Sequence, residues 1–467
     1  MCAAAPAFAA PVTSEQVNTC ERERGSIENR IAACTAIIDG SKSPKAKVIA
    51  RQKKADALLE RGESLATKGD ADGALGSYTE SIALDASNSR ALFRRGMLYR
   101  ERGEIENAVA DLEASLKFGK TNIDAMNALS HIYYAKREFA RAISVLDLAI
   151  KLKPNDGLAY YNRGMTYRAK GEADRAIPDF DRAIKIKSDD IVALHARGLA
   201  YRDIRDYERA LQDFDQAIKH KPDFILALND RGITYAAKGE VDRAIQEFDT
   251  AILLDPRDAF AYNNRGLAYR NRGETDRAIK DYDQALMLNA NYVLAYYNRG
   301  NAFYDKRSYD RAIQDYDQAI KLDSSYALAY YDRGVSYYEK GNHEQALKDL
   351  TQAIKLDPKD ALSYYNRGIT HIARGDTDAA IADFDQTLKI DPKNSLAYYN
   401  RALALRSKGA LERAIGDFGE AIKLDPKNAL ALYHRGITYR RAGRLDPAMA
   451  DFDQSLRIDP KNPSAYF

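Results

Sequence analysis

One glycine recurs every 34 residues through most of this chain. It stands at 164, 198, 232, 266, 300, 334 and 368, usually at the end of a stretch close to "AYYNRG". A fixed period of this size is typical of a repeat array, in which each unit packs only against its neighbours. Length alone would suggest roughly three globular domains. The period instead favours a solenoid.

Each repeat has the pattern of two helices. With the glycine at position 8, twelve repeats follow one another from residue 55 to residue 462. Small residues recur at positions 8, 20 and 27, tyrosine at 11 and a bulky residue, often aromatic, at 24. These spacings place the small and large side chains on one face of each helix. Glycine at position 15 suits a left-handed turn, and proline at position 32 ends the second helix.

This pattern resembles the tetratricopeptide repeat (TPR). The resemblance implies an all-α fold, an α-solenoid in which antiparallel helix pairs form a right-handed superhelix with the first helices on its concave face. Residues 11–54 are expected to form a degenerate N-terminal capping repeat, and residues 463–467 begin a thirteenth repeat. The sequence departs from the family at position 7, where eleven repeats carry arginine instead of the usual leucine.

The arginines at position 7 have acidic residues in register with them. Aspartates recur at positions 23 and 25 of the second helices, as in Asp179 and Asp181. Periodic cations and anions on stacked helices predict a ladder of inter-helix ion pairs. The alternative is a basic stripe for an anionic ligand. A net charge of +3 over the whole chain argues against a strongly anionic partner such as nucleic acid.

The sequence offers no pattern typical of catalysis or metal binding. The six histidines fall in different repeats without metal-ligand spacing, and the recurrent glycines belong to the repeat rather than to a phosphate loop. The residues outside the repeats are too few for a catalytic domain. We therefore predict a non-enzymatic scaffold that binds a partner protein or extended peptide, without cofactor or metal. The alternative is the repeat region of a truncated glycosyltransferase-type enzyme, since the repeats are similar to those of O-GlcNAc transferases.

Position 6 carries a column of carboxamides and carboxylates, which the family resemblance places on the inner surface. A carboxamide both donates and accepts, so such a column, similar to the asparagine ladder of O-GlcNAc transferases, would bind an extended backbone. Tyrosines at position 5 would add contact area, and Arg168, Arg202 and Arg270 at position 12 would select acidic side chains. Ala196 and His434 interrupt the column, and the alternative is a consensus asparagine without function. The predicted peptide-binding residues are Asn162, Asn264, Asn298, Asn366, Asn400, Asp230, Asp332, Tyr161, Tyr297, Tyr331, Tyr365 and Tyr399.

The N-terminal residues bear on the compartment. Residues 1–10, "MCAAAPAFAA", are interpreted as the remnant of an export signal or as a disordered terminus. Cys20 and Cys34 would lie on opposing helices of the capping repeat, where they form either a disulfide or two buried thiols. Because exported proteins tolerate disulfides, we predict a periplasmic or secreted protein, with a cytoplasmic one as the alternative. No apolar run is long enough for a transmembrane helix.

Overall fold

The computed structural model describes residues 12–21 and 25–460, and in those ranges it contains helices and turns but no strand. The predicted all-α fold is confirmed. Numbered in chain order, the helices are α1 (Ser14–Glu21), α2 (Ile27–Gly40), α3 (Pro44–Thr67), α4 (Ala71–Leu84), α5 (Ser89–Glu101), α6 (Ile105–Phe118), α7 (Ile123–Ala135), α8 (Phe139–Leu152), α9 (Gly157–Ala169), α10 (Ala173–Ile186), α11 (Ile191–Asp203), α12 (Tyr207–His220), α13 (Ile225–Ala237), α14 (Val241–Leu254), α15 (Ala259–Asn271), α16 (Thr275–Leu288), α17 (Val293–Asp305), α18 (Tyr309–Leu322), α19 (Ala327–Glu339), α20 (His343–Leu356), α21 (Ala361–Arg374), α22 (Thr377–Ile390), α23 (Ser395–Ser407), α24 (Leu411–Leu424), α25 (Ala429–Arg441) and α26 (Leu445–Ile458).

The two helices of a repeat approach closely because the first carries a glycine where the second carries a ring. In the repeat formed by α17 and α18, a Cβ added to Gly300 would lie 2.7 Å from the ring of Tyr316. The same distance separates such a Cβ on Gly164 from the ring of Phe180. Both rings are fully buried. The core is therefore a row of close contacts between a small residue of the first helix and a bulky residue of the second, in most repeats a glycine against a ring.

The turn between the two helices needs a residue in the left-handed region. Nine repeats place a glycine there, with φ between 75° and 87°. In the remaining three repeats Arg137, Arg205 and Arg307 adopt φ values of 57–63°. A side chain in this region costs about 1–2 kcal/mol, because its Cβ crowds the following carbonyl. The turn thus has the same left-handed backbone conformation in the three repeats with arginine as in the nine with glycine.

The predicted ladder of ion pairs is present. Arg163 donates through Nε and Nη2 to Asp179 of its own repeat at 2.8 and 2.5 Å, and through Nη1 to Asp147 of the preceding repeat at 2.6 Å. Each such guanidinium therefore ties two neighbouring repeats together. The same three bonds recur at Arg197, Arg265, Arg299, Arg333 and Arg401.

The N-terminal helices extend the stack before the first full repeat. In the structure Cys20 of α1 and Cys34 of α2 are joined by a disulfide, with their Cα atoms 5.0 Å apart. Helix α3 begins at Pro44, is capped by Ser43 and runs for 24 residues. The predicted export remnant at 1–10 and the start of a thirteenth repeat at 463–467 lie outside the described residues.

The chain divides between Thr234 and Tyr235 into two compact bodies. The first body contains the candidate residues Tyr161, Asn162 and Asp230. The second body contains the other nine.

Candidate functional site

The side chain at position 5 of one first helix contacts the side chain at position 6 of the next. We call these residues the polar ladder. Its contacts join residues 35 positions apart, with donor–acceptor distances of 2.7–2.9 Å: His195 with Asp230, Asn263 with Asn298, Tyr297 with Asp332, Tyr331 with Asn366, and Tyr365 with Asn400. Within each body the structure thus places neighbouring members of the predicted column in contact, and much of their hydrogen-bonding capacity is used within the protein.

Asn366 shows which part of a carboxamide remains for a ligand. Its Nδ2 donates to the hydroxyl of Tyr331 at 2.9 Å and to the carbonyl of Leu362 at 3.0 Å. Asn400 makes the equivalent bonds to Tyr365 and to its own helix. Because a carbonyl only accepts, the orientation of the amide is fixed. Among the described residues no donor reaches the Oδ1 of Asn366 or Asn400, so this oxygen is the atom each presents.

Other members of the ladder are less open. Asn162 is only 6% exposed, and its Nδ2 lies 3.5 Å from the Oδ1 of Asn127. The Oδ1 of Asn264 lies 3.4 Å from the Nδ2 of Asn263, whose own Oδ1 accepts from Asn298 at 2.9 Å. The Nδ2 of Asn264 is buried and has no hydrogen-bond partner among the described residues. The asparagines at position 6 are therefore not equivalent, contrary to what a uniform column implies.

The two carboxylates of the ladder have opposite electrostatic surroundings. Burial disfavours the charged form of Asp230, but hydrogen bonds from His195 and Arg202, both at 2.7 Å, outweigh it and lower the pKa of Asp230. Asp332 receives only the neutral hydroxyl of Tyr297, at 2.7 Å. Burial therefore raises the pKa of Asp332 to about 6. Asp230 is anionic at neutral pH, and Asp332 titrates just below it.

The tyrosines at position 5 are partly buried against the rings of their own second helices. The ring pairs have centroids 5.9–6.1 Å apart and are Tyr161 with Phe180, Tyr297 with Tyr316, Tyr365 with Phe384, and Tyr399 with Phe418. Burial raises the pKa of the five candidate tyrosines, to about 12 for Tyr331; they are Tyr161, Tyr297, Tyr331, Tyr365 and Tyr399. These residues therefore stay neutral and contribute one ring face to the core and one edge to the surface.

The arginines at position 12 that the sequence singles out all have carboxylate partners within the protein. The closest contacts are Arg168 Nε to Asp203 Oδ2 at 2.7 Å, Arg202 Nη1 to Asp230 Oδ1 at 2.7 Å, and Arg270 Nε to Asp305 Oδ2 at 2.6 Å. Two of these partners lie 35 residues on, at position 13 of the next first helix. The charges of these three arginines are therefore neutralised internally.

Sequence reasoning missed a further member of the same column. Arg406 lies at position 12, and its Nη1 is 3.1 Å from the Nδ1 of His434. The residue 35 positions on is Arg441 rather than an aspartate. The sequence does show that residue 441 is an arginine where the partners of Arg168 and Arg270 are aspartates. This difference has a meaning only once the contact between positions 12 and 13 of neighbouring repeats is known.

Neither metal ligation nor membrane insertion is indicated by the described helices. Within residues 12–21 and 25–460, no cluster of three or more histidine, cysteine or acidic side chains is arranged to hold a metal ion. None of the helices in these ranges combines the length and the hydropathy needed to cross a membrane.

Family models described as tetratricopeptide repeat match most of the chain. One matches at residues 59–123, 127–191, 195–263, 331–395, 365–421 and 399–463, and a second at 247–280. A model described as TPR repeat matches at 266–306 and 300–341. No curated protein sequence matches the chain.

Several solved structures are similar over parts of the chain. YrrB, described as a TPR protein with an unusual peptide-binding site, is 27% identical over 40% of this chain and 97% of its own, with a TM-score of 0.36. MamA is 29% identical over 35% and 96%, with a TM-score of 0.34. A tetratricopeptide repeat protein from Parabacteroides merdae is 19% identical over 53% and 98%, with a TM-score of 0.45. Assignment rests on the family models, which match more than half of the chain. The chain belongs to the tetratricopeptide-repeat family.

Proposed function

We propose that this protein is an interaction scaffold without catalytic activity, and that the polar ladder binds an extended peptide segment of a partner protein. The observation that carries the proposal is the fixed orientation of Asn366 and Asn400. Their Nδ2 atoms are held by the protein, and each Oδ1 is left to accept a hydrogen bond. A backbone N–H is the donor that every peptide supplies, whatever its sequence.

The spacing of the helices suits such a ligand. Packed helices lie about 8–10 Å apart, and an extended chain advances about 3.3 Å per residue. One repeat therefore corresponds to about three peptide residues. The exposed edges of Tyr365 and Tyr399 would provide apolar contact between the polar rungs. Affinity would come from the backbone, and selectivity from the charged side chains around the ladder.

The proposed compartment is the periplasm or the extracellular space. The Cys20–Cys34 disulfide supports this location, because such bonds persist in oxidising compartments and are rare in the cytosol. Cells expressing the protein would be fractionated and alkylated before lysis. A linked peptide containing both cysteines, found by mass spectrometry in the periplasmic or secreted fraction, is the expected result. Alkylated Cys20 and Cys34 in the cytosolic fraction would contradict the location.

The binding proposal is tested by removing two carboxamides from the first helices of the repeats and, as a control, two from the second helices. A partner is first identified by cross-linking and pull-down, and its affinity is then measured by calorimetry. Asn366→Ala with Asn400→Ala should weaken binding about tenfold, since each lost hydrogen bond contributes about 0.5–1.5 kcal/mol. The matched control is Gln318→Ala with Gln386→Ala, which removes two exposed carboxamides from the second helices α18 and α22.

The control variant should keep the wild-type affinity, and circular dichroism should be unchanged in both variants. Equal affinity of the wild type and the asparagine variant would place the partner elsewhere. Loss of binding in both variants would show that the second helices take part.

A further inference from the structure

The last two repeats contain an arginine for which the protein supplies no carboxylate. The guanidinium of Arg406 contacts His434 through Nη1, at 3.1 Å from Nδ1 and 3.4 Å from the backbone oxygen. Among the described residues, no carboxylate lies within salt-bridge distance of Arg406 or of Arg441. Two acids of these helices, Asp378 and Glu412, pair with Lys408 and Arg444 instead.

The other arginines of this column show what is missing. Arg168 and Arg270 pair with an aspartate at position 13 of the next first helix, Asp203 and Asp305. In the last repeat that position is Arg441. At this contact the array therefore provides a counterion for Arg168 and for Arg270, and a second cation for Arg406.

The contact between an arginine at position 12 and the residue at position 6 of the next repeat also lacks its carboxylate at Arg406. Arg202 has no acid at position 13 of the next repeat, where residue 237 is alanine, and its Nη1 turns instead to Asp230 at 2.7 Å. Arg406 makes the equivalent contact, but the residue it meets is His434. Burial and the nearby charge of Arg406 lower the pKa of His434 to about 4, so this ring is neutral at neutral pH. Both ways in which the array neutralises such an arginine are therefore absent here.

The neutral ring of His434 adds a hydrogen-bond donor to the two cations, Arg406 and Arg441. Because Nδ1 of His434 accepts from Arg406, its proton is on Nε2. The ring is held in place by Tyr399, 5.8 Å away, and by Phe418, 6.3 Å away between centroids. Burial and the charge of Arg441 lower the pKa of Arg406, as expected where two cations repel each other. Such a cluster is relieved by an anion.

We propose that Arg406, Arg441 and His434 form a binding site for the carboxylate of an acidic side chain on a bound peptide. The ligand supplies the group that Asp203, Asp230 and Asp305 supply within the protein at the equivalent contacts. This inference rests on the proposed function, and it adds that the segment lying against α23 and α25 is acidic. It also gives a role to Arg441, which occupies the position that holds the aspartate partners of Arg168 and Arg270.

The test uses the full chain and two fluorescein-labelled Gly/Ser peptides, one with two central glutamates and one with two glutamines in their place. Binding is followed by fluorescence anisotropy at low salt. The wild type should bind the glutamate peptide about tenfold more tightly, as expected for partly buried charge pairs. In Arg441→Asp the new carboxylate pairs with Arg406, and the preference should disappear. The matched control Arg413→Asp makes the same charge change on exposed α24 and should retain the preference.

A second measurement does not depend on peptide affinity. At equal ionic strength, sulfate should raise the thermal midpoint of the wild type more than chloride does. Arg441→Asp should show no such difference and should be more stable than the wild type in chloride. Equal binding of the two peptides by the wild type, together with equal effects of sulfate and chloride, would overturn the proposal. So would a glutamate preference that survives in Arg441→Asp.

Outcomes with the natural partner separate this inference from the proposed function. If the asparagine variant loses the partner and Arg441→Asp binds it normally, the ladder function stands and the carboxylate site is refuted. If the asparagine variant binds the partner normally while the glutamate preference depends on Arg441, the carboxylate site stands and the ladder function is refuted.

Discussion

Alanine substitutions at Gly300 and Gly416 should change stability in opposite directions. A Cβ at residue 300 would lie 2.7 Å from one ring atom of Tyr316 and 2.9 Å from another, well inside ordinary contact. A Cβ at residue 416 would meet nothing within 4 Å. Both glycines lie inside helices, so both gain about 1 kcal/mol of helix propensity. The difference between the variants therefore isolates the overpacking cost, about 1–3 kcal/mol.

One repeat of the protein already carries this substitution. Ala402 stands at position 8 against Phe418, and both are fully buried. The planes of Tyr399 and Phe418 there make an angle of 65°. The four equivalent tyrosine–ring pairs in repeats with glycine make angles of 49–52°. The ring thus turns to admit the methyl group, which places the expected cost toward the lower end of the range.

We expect Gly300→Ala to destabilise by about 0.5–1 kcal/mol, because an overpacking cost of about 1.5–2 kcal/mol is partly offset by the gain in helix propensity, and Gly416→Ala to stabilise by about 1 kcal/mol. Since repeat arrays do not unfold in a single step, hydrogen exchange is measured peptide by peptide. Amides in α17 and α18 should exchange faster in Gly300→Ala, and amides in α24 more slowly in Gly416→Ala. Slower exchange of α17 and α18 in Gly300→Ala would refute the close-contact argument, because propensity alone would then account for both variants.

Further predictions concern the turn, the ladder and the N-terminal helices. Arg205→Gly should stabilise the first body by about 1 kcal/mol in denaturant unfolding, since a left-handed residue no longer carries a side chain; destabilisation would contradict this. Asp332 has a folded pKa of about 6, above its usual value, so it contributes stability that is present below about pH 4 and lost as the pH rises through 6. This contribution is about 3 kcal/mol at most. It should be absent in Asp332→Asn when unfolding of the second body is measured at a series of pH values. Reduction of the Cys20–Cys34 disulfide should speed hydrogen exchange in α2 by an amount equivalent to about 3 kcal/mol, and unchanged exchange would show that the bond adds no stability.

The period of the sequence was sufficient to predict most of the fold. Gly at position 8 and a bulky residue at position 24 predicted the close helix pair, and Gly300 and Tyr316 show that contact. Arginine at position 7 with aspartates at 23 and 25 predicted the ion pairs that Arg163 makes. These features follow from the period because every repeat solves the same packing problem. The left-handed Arg205 did not follow, because the local sequence gives no favourable residue there and the neighbouring helices hold the turn.

The candidate site was less predictable, because its contacts cross from one repeat to the next. The sequence indicated that Asn366 and Asn400 share a column, but the structure was needed to show that tyrosines of the preceding repeat bind their Nδ2 atoms. Likewise, the sequence suggests that Arg168 is available to a ligand, whereas the structure shows that it pairs with Asp203. A single repeat gives the residue types of the site, whereas the register between repeats decides which of their atoms are free.

The scaffold and the site use different positions of the same helix, and this separation lets the array vary its surface. Position 7 holds neighbouring repeats together, since Arg401 pairs with Asp417 of its own repeat at 2.7 Å and with Asp385 of the preceding repeat at 2.5 Å. Positions 6, 12 and 13 lie outside that packing, so exchanging an aspartate for Arg441 leaves the glycine–ring contact of the repeat intact, with a Cβ on Gly436 2.6 Å from the ring of Phe452. Most repeats therefore keep the same scaffold residues, while the residues at positions 6 and 13 decide whether an arginine such as Arg406 is neutralised by the protein or by what it binds.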